Sequence, residues 1–122
     1  MQKSIKKPVK KTASKRTAPS EKEIRYVAYY RIDPVFEMDP SITRFQVMSE
    51  IGFKKVRAFY ASSKDDAFMK MQGEFWSPRG EARPLIRSLG LHHTSMSVGD
   101  CLYDADSNKM YQCDDFGWKL VK

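Results

Sequence analysis

Residues 24–32 alternate with a period of two: Ile24, Tyr26, Ala28, Tyr30 and Ile32 fall on one side, Arg25, Val27, Tyr29 and Arg31 on the other. Aromatic and β-branched residues dominate, so the pattern predicts a strand covered on one face and partly on the other. Asp33-Pro34 ends it. A second strand is predicted over residues 53–61, with Phe53, Val56, Phe59 and Tyr60 as its apolar content. It runs directly into a helix signal. Ser62 or Ser63 supplies an N-cap, and Asp65 or Asp66 stands three residues on, at the capping-box spacing and at the positive end of the helix dipole. Ala67, Phe68, Met71 and Phe75 then form one stripe, which predicts a main helix over residues 63–75.

Residues 39–52 fit two patterns. Asp39 as cap, Pro40 at the first position, Gly52 just past the end and Ile42, Phe45, Met48 and Ile51 at near-helical spacing read as a short helix. Phe45 and Val47 also alternate as in a short strand; the helix is the favoured reading. Residues 76–83, with Pro78 and Gly80, read as a loop, and 84–89 as one helical turn closed by Gly90. From Ser95 the pattern returns to β: Val98, Asp100 and Leu102 alternate with Gly99, Cys101 and Tyr103. A polar turn over 104–108, a returning strand over 110–113 and a last short strand at Trp118, Leu120 and Val121 follow. The expected fold is α+β, a mostly antiparallel sheet of about four strands with the 63–75 helix across one face, forming a single domain over residues 23–122.

Charge changes this picture at one end only. Lys3, Lys6, Lys7, Lys10, Lys11, Lys15 and Arg16 are seven of the chain's 22 cations, and no acid precedes Glu21. Residues 21–122 therefore hold 15 cations against 15 anions, and the whole net charge of +7 belongs to the N-terminal segment. Residues 1–22 mix these cations with Ser, Thr, Ala and Pro and have only Met1, Ile5 and Val9 as sizeable apolar residues. Such a stretch cannot offset an ordering cost of roughly 1–2 kcal/mol per residue, which predicts a tail disordered when free.

Several function classes recede. No apolar run approaches the roughly 20 residues of a membrane span, and the basic N-terminus has no apolar h-region behind it. With no export signal, Cys101 and Cys113 are expected as reduced thiols in a cytoplasmic protein. A turn centred near Ser107 would set the two cysteines opposite each other on a hairpin. His92, His93, Cys101 and Cys113 lie within 22 residues but lack C-x-x-C or H-x-x-x-H spacing, so neither a metal nor any other cofactor is expected. Ser95, Ser97 and Cys101 lie near the histidines, and Asp100 could orient an imidazole. Sequence neighbours rarely satisfy a triad's geometry, no nucleophile elbow or phosphate-binding Gly motif is present, and no enzyme is expected.

The residues from His93 to Asp100 (H-T-S-M-S-V-G-D), then Tyr111 and Cys113, then Phe116-Gly117-Trp118, resemble the closing motif of small uncharacterised proteins carried by phages, plasmids and other mobile elements. The resemblance is sharp over about thirty residues and departs from the pattern at Cys101, where a β-branched aliphatic is expected. It implies a compact α+β domain and a mobile-element or accessory origin, and it brings no catalytic residues. Physically the motif needs none: Gly99 suits a bulge or close approach, Asp100 caps backbone donors, and Trp118 packs beneath the hairpin.

Nucleic-acid binding has the broadest support. The seven tail cations can neutralise phosphates without sequence preference, while Arg79, Arg83 and Arg87 lie near Trp76 in a basic-aromatic mixture that could stack on unpaired bases. The favoured reading of that segment is Trp76 as a core anchor at a helix end, with Gly80 and Pro84 as punctuation. The expected function is thus a non-enzymatic accessory protein holding DNA or RNA loosely through its tail. The alternative is a protein-interaction module acting on a host protein, with the tail only a solubilising extension.

Overall fold

The structure, a computed structural model, describes residues 23–33 and 41–122. The predicted tail, and Asp39 and Pro40 of the first predicted helix, lie outside them. Five strands form one antiparallel sheet: β1 (Ile24–Arg31), β2 (Phe53–Ala61), β3 (Cys101–Asp104), β4 (Lys109–Asp114) and β5 (Gly117–Val121), in the spatial order β2-β1-β3-β4-β5. Among the described residues the helices are short: α1 (Arg44–Met48), α2 (Lys64–Lys70), α3 (Gly73–Trp76) and α4 (Arg83–Ser88). None is long and apolar enough to cross a membrane.

The α+β class holds, with five strands where about four were expected and several helical pieces in place of one main helix. β1 sits between β2 and β3, so its alternation serves two cores. Tyr26, Ala28, Tyr30 and Leu102 pack with Ala67, Met71, Ile86 and Met96 on one side. Val27, Tyr29, Cys101, Met110 and Val121 pack with Ile42 and Val47 on the other. β1 is thus buried on both faces from Tyr26 to Tyr30. The register of β1 against β2 slips by one between Ala28 and Tyr29, leaving Val56 as the extra residue of a bulge. The bulge brings Val56 and Phe59 into the same core despite a three-residue spacing that no regular strand would reconcile.

α2 forms where its signals stand. The Ser63 side chain accepts from the Asp66 N–H at 3.1 Å, and the Asp66 carboxylate accepts in turn from the Ser62 N–H at 2.9 Å. Burial alone would raise the Asp66 carboxyl, but the Ser62 N–H and the Lys70 ammonium outweigh it and hold it below the usual carboxylate range. α1 departs from expectation. Thr43, not Asp39, caps it, and its five residues bury Val47 while Phe45, Met48 and Ile51 are exposed. Phe45 and Met48 lie in the helix on a face other than that of the buried Val47, and Ile51 falls beyond its end, so the suggested stripe does not meet the core.

The β3–β4 hairpin is closed by Asp104, whose Oδ1 accepts from the N–H groups of Asp106 and Ser107, with Asn108 at φ 60°. This turn pairs Cys101 with Gln112 rather than with Cys113. A one-residue difference in register puts the two thiols on opposite faces of the sheet, which removes the cross-strand disulfide geometry.

Candidate nucleic-acid interface

Where α2 ends, the chain turns sharply. Gln72 Nε2 donates to the carbonyls of Phe68 and Met96, at 3.1 and 3.2 Å, and the Gly73 N–H donates to Ser95 Oγ at 2.7 Å. A Cβ on Gly73 would stand 3.2 Å from that same oxygen, so a glycine lets the two segments approach. The predicted 63–75 helix breaks here, and Phe75, assigned to its apolar stripe, instead stands 59% exposed on α3. Trp76 is half-buried against the core, with its Nε1–H donating to the Thr94 carbonyl at 3.2 Å.

Between α3 and the open edge of β2 lies a cleft of about 700 Å³, lined by Arg57, Phe59, Tyr60, Lys70, Phe75 and Trp76. The Arg57 guanidinium sits 5.3 Å from the Trp76 ring centre and 5.0 Å from that of Phe59. It has no carboxylate partner among the described residues. Burial lowers its pKa from the ordinary value, with Tyr30 opposing, yet a guanidinium stays charged at neutral pH. Lys70 is compensated: its Nζ lies 3.6 Å from Glu23 and 3.4 Å from Asp66, and it donates to the Tyr60 carbonyl. By strand alternation the Tyr60 ring points to the opposite face from Phe59, so Tyr60 presents backbone to the cleft.

Of the residues singled out by sequence, Lys3, Lys6, Lys7, Lys10, Lys11, Lys15 and Arg16 lie outside the described residues. Trp76 lines the cleft, whereas Arg83 and Arg87 line a smaller concavity of about 280 Å³ with Leu91, His92, His93 and Thr94. Arg79 is exposed, its N–H donating to Glu81 Oε1 at 2.8 Å. The cation brought onto Trp76 is therefore Arg57, nineteen residues upstream and on another element. Nothing local in the sequence marks that pairing, nor the outward turn of Phe75.

The resembling motif builds a second concavity of about 450 Å³, lined by Arg31, Ile32, Asp33, His92, His93, Ser97, Val98 and Asp100. Asp100 is 1% exposed and acts as its knot. Its Oδ1 accepts from the Arg31 N–H at 2.9 Å, and its Oδ2 from the Ser97 N–H at 2.9 Å and from His93 Nε2 at 2.8 Å. A carboxylate only accepts, so Nε2 carries the proton in this pair. The His93 ring stacks on Tyr30 at 4.7 Å. Gly99, at φ 98°, makes the turn that aims Asp100 inward. Trp118 meets Phe68 edge-on and donates to Asp65 at 3.2 Å. Ser97 Oγ also approaches Asp100 Oδ2, at 3.4 Å, so serine and histidine both address the acid rather than each other. The arrangement ties a loop to the end of β1 and is not a nucleophile–base pair. Among the described residues no group of three or more His, Cys, Asp or Glu is placed to hold a metal ion.

The thiols are equally enclosed. Burial, reinforced by the Asp100 charge, pushes Cys113 up to about 11 and raises Cys101 as well. Both thiols stay protonated at pH 8. Ellman's reagent should therefore find neither thiol in the native protein at pH 8, and both after denaturation. Rapid reaction of a native thiol would contradict this placement.

Comparison with protein-family models, with curated proteins and with solved structures finds no match.

Proposed function

We propose that this protein is a non-enzymatic accessory factor of mobile-element origin, acting in the cytoplasm, that holds nucleic acid through its basic N-terminal segment. The observation that carries this reading is the partition of charge: seven cations with no acid in residues 1–20, against a body of 15 cations and 15 anions. Each phosphate neutralised releases condensed counterions, which gives affinity without sequence preference. Seven contacts on duplex DNA correspond to a slope of log K against log salt of about −6, at about −0.9 per contact. The folded domain's own cations are balanced by acids, so they add little long-range attraction.

The test is a salt series of binding to duplex and single-stranded ligands, on the full chain and on a chain lacking residues 1–20. Deletion should abolish duplex binding and flatten the salt slope, with the thermal melt of the domain unchanged. Equal binding by the truncated chain would refute the reading, and a protein partner retained at high salt would favour the interaction-module alternative.

A further inference from the structure

We propose that the cleft between β2 and α3 is a base-stacking site for single-stranded nucleic acid, with Phe75 as its exposed platform and the Arg57–Trp76 pair as its fixed wall. This takes its partner class from the reading above and adds that the folded domain itself selects unpaired strands.

Three features converge. α3 buries no residue, yet carries an aromatic ring that is 59% exposed beside a second, half-buried ring. The α3 backbone is pinned by the Gly73–Ser95 bond and the Trp76 ring by its bond to the Thr94 carbonyl, so the segment that carries Phe75 is held before any ligand arrives. Arg57, the cation at the wall, has rings as neighbours and no acid among the described residues. Its charge therefore stays available to a phosphate that reaches the two rings it sits against.

The combination favours an unpaired strand over the alternatives. Aromatic rings accept any base with an exposed face, and bases inside a duplex expose none. Duplex DNA can still meet the tail, because that contact needs only phosphates. A peptide strand added to the open edge of β2 would satisfy its backbone groups. It would use the uncompensated cation and the rings only where it happened to carry a carboxylate or an aromatic side chain, whereas every nucleotide brings both a phosphate and a base. The cleft volume of about 700 Å³ lies within the ordinary range for ligand sites, roughly 300–1,000 Å³.

The experiment uses the full-length chain, a second full-length chain with the seven tail cations changed to Gln, and Phe75→Ala and Phe75→Trp in each. Fluorescence anisotropy is read with a labelled oligo-dT, an oligo-U and a duplex of equal length. Phe75→Ala should weaken single-strand binding roughly five- to a hundredfold, leaving duplex binding and the salt slope unchanged. Phe75→Trp should restore it. Equal effects on single strand and duplex, or none on either, would overturn the cleft while leaving the tail reading intact. Undiminished duplex binding by the Gln-tailed chain would sink the tail reading instead. A loss specific to oligo-U or to oligo-dT assigns the site to RNA or DNA, and capture of an extended peptide that survives Phe75→Ala counts against it.

Discussion

Asp100→Ala should destabilise the domain by about 3–5 kcal/mol, lowering its melting temperature by about 12 °C or more. The carboxylate is 1% exposed and accepts from two backbone N–H groups that belong to different parts of the chain, Arg31 at the end of β1 and Ser97 in the loop. Truncation strands both donors and the His93 Nε2–H together. Each stranded buried donor costs roughly 1–3 kcal/mol, reduced where the neighbouring concavity admits water. Asp100→Asn keeps one acceptor oxygen and should lose less. His93→Ala should lose less again, since its side chain is 30% exposed and removes one partner instead of the hub. Thermal melts of the three variants check the order. If His93→Ala costs as much as Asp100→Ala, the stacked imidazole and not the backbone tie holds the loop.

This knot also shows what sequence alone conveyed. Asp100 and Gly99 were legible as turn chemistry, because an Asp beside a Gly at a strand entry has few other uses. That the same Asp reaches across 69 residues to the Arg31 N–H was not legible, since no periodicity links the two positions. β1 and α2 were readable for the corresponding reason: alternation and the Ser63–Asp66 cap are signals contained within each segment, and β2 was readable from its aromatic and β-branched content. The misreadings fall where a long-range contact, or a cap or turn bond that residue spacing does not show, decided the outcome. Phe75 fits the α2 stripe by spacing, but Gly73 is drawn aside by Ser95 and the helix ends first. Phe45 and Met48 have core-like spacing and lie within α1, but the helix turns Val47 inward and leaves both exposed. The hairpin register hung on the Asp104 turn, and one residue there decided which face each cysteine occupies. The candidate cleft was the least legible part, because it joins Arg57 in a strand to Trp76 in a helix and only tertiary packing makes them neighbours.

Met110→Ala should cost about 2–4 kcal/mol, comparable to Leu102→Ala. The comparison measures whether both faces of the sheet are buried. Leu102 packs in the core beneath α2 and α4, where any helix-on-sheet arrangement would bury it. Met110 faces the other way and shares its cluster with Val27, Tyr29, Val47 and Val121, at 0% exposure. On a sheet covered on one side only, as the expected single main helix would leave it, Met110 would meet solvent and its truncation would fall within about 0.5 kcal/mol of neutral. Two cores on one thin sheet change the response to any large-to-small substitution. Among the described residues α1 and Ile42 cover the second face, so little there can collapse into a cavity and the residual void stays open. Urea unfolding should accordingly show a lower midpoint for both variants with an unchanged slope, the sign of lost packing without a change in the denatured ensemble. A Met110→Ala midpoint equal to that of the parent protein would show that α1 does not seal its side.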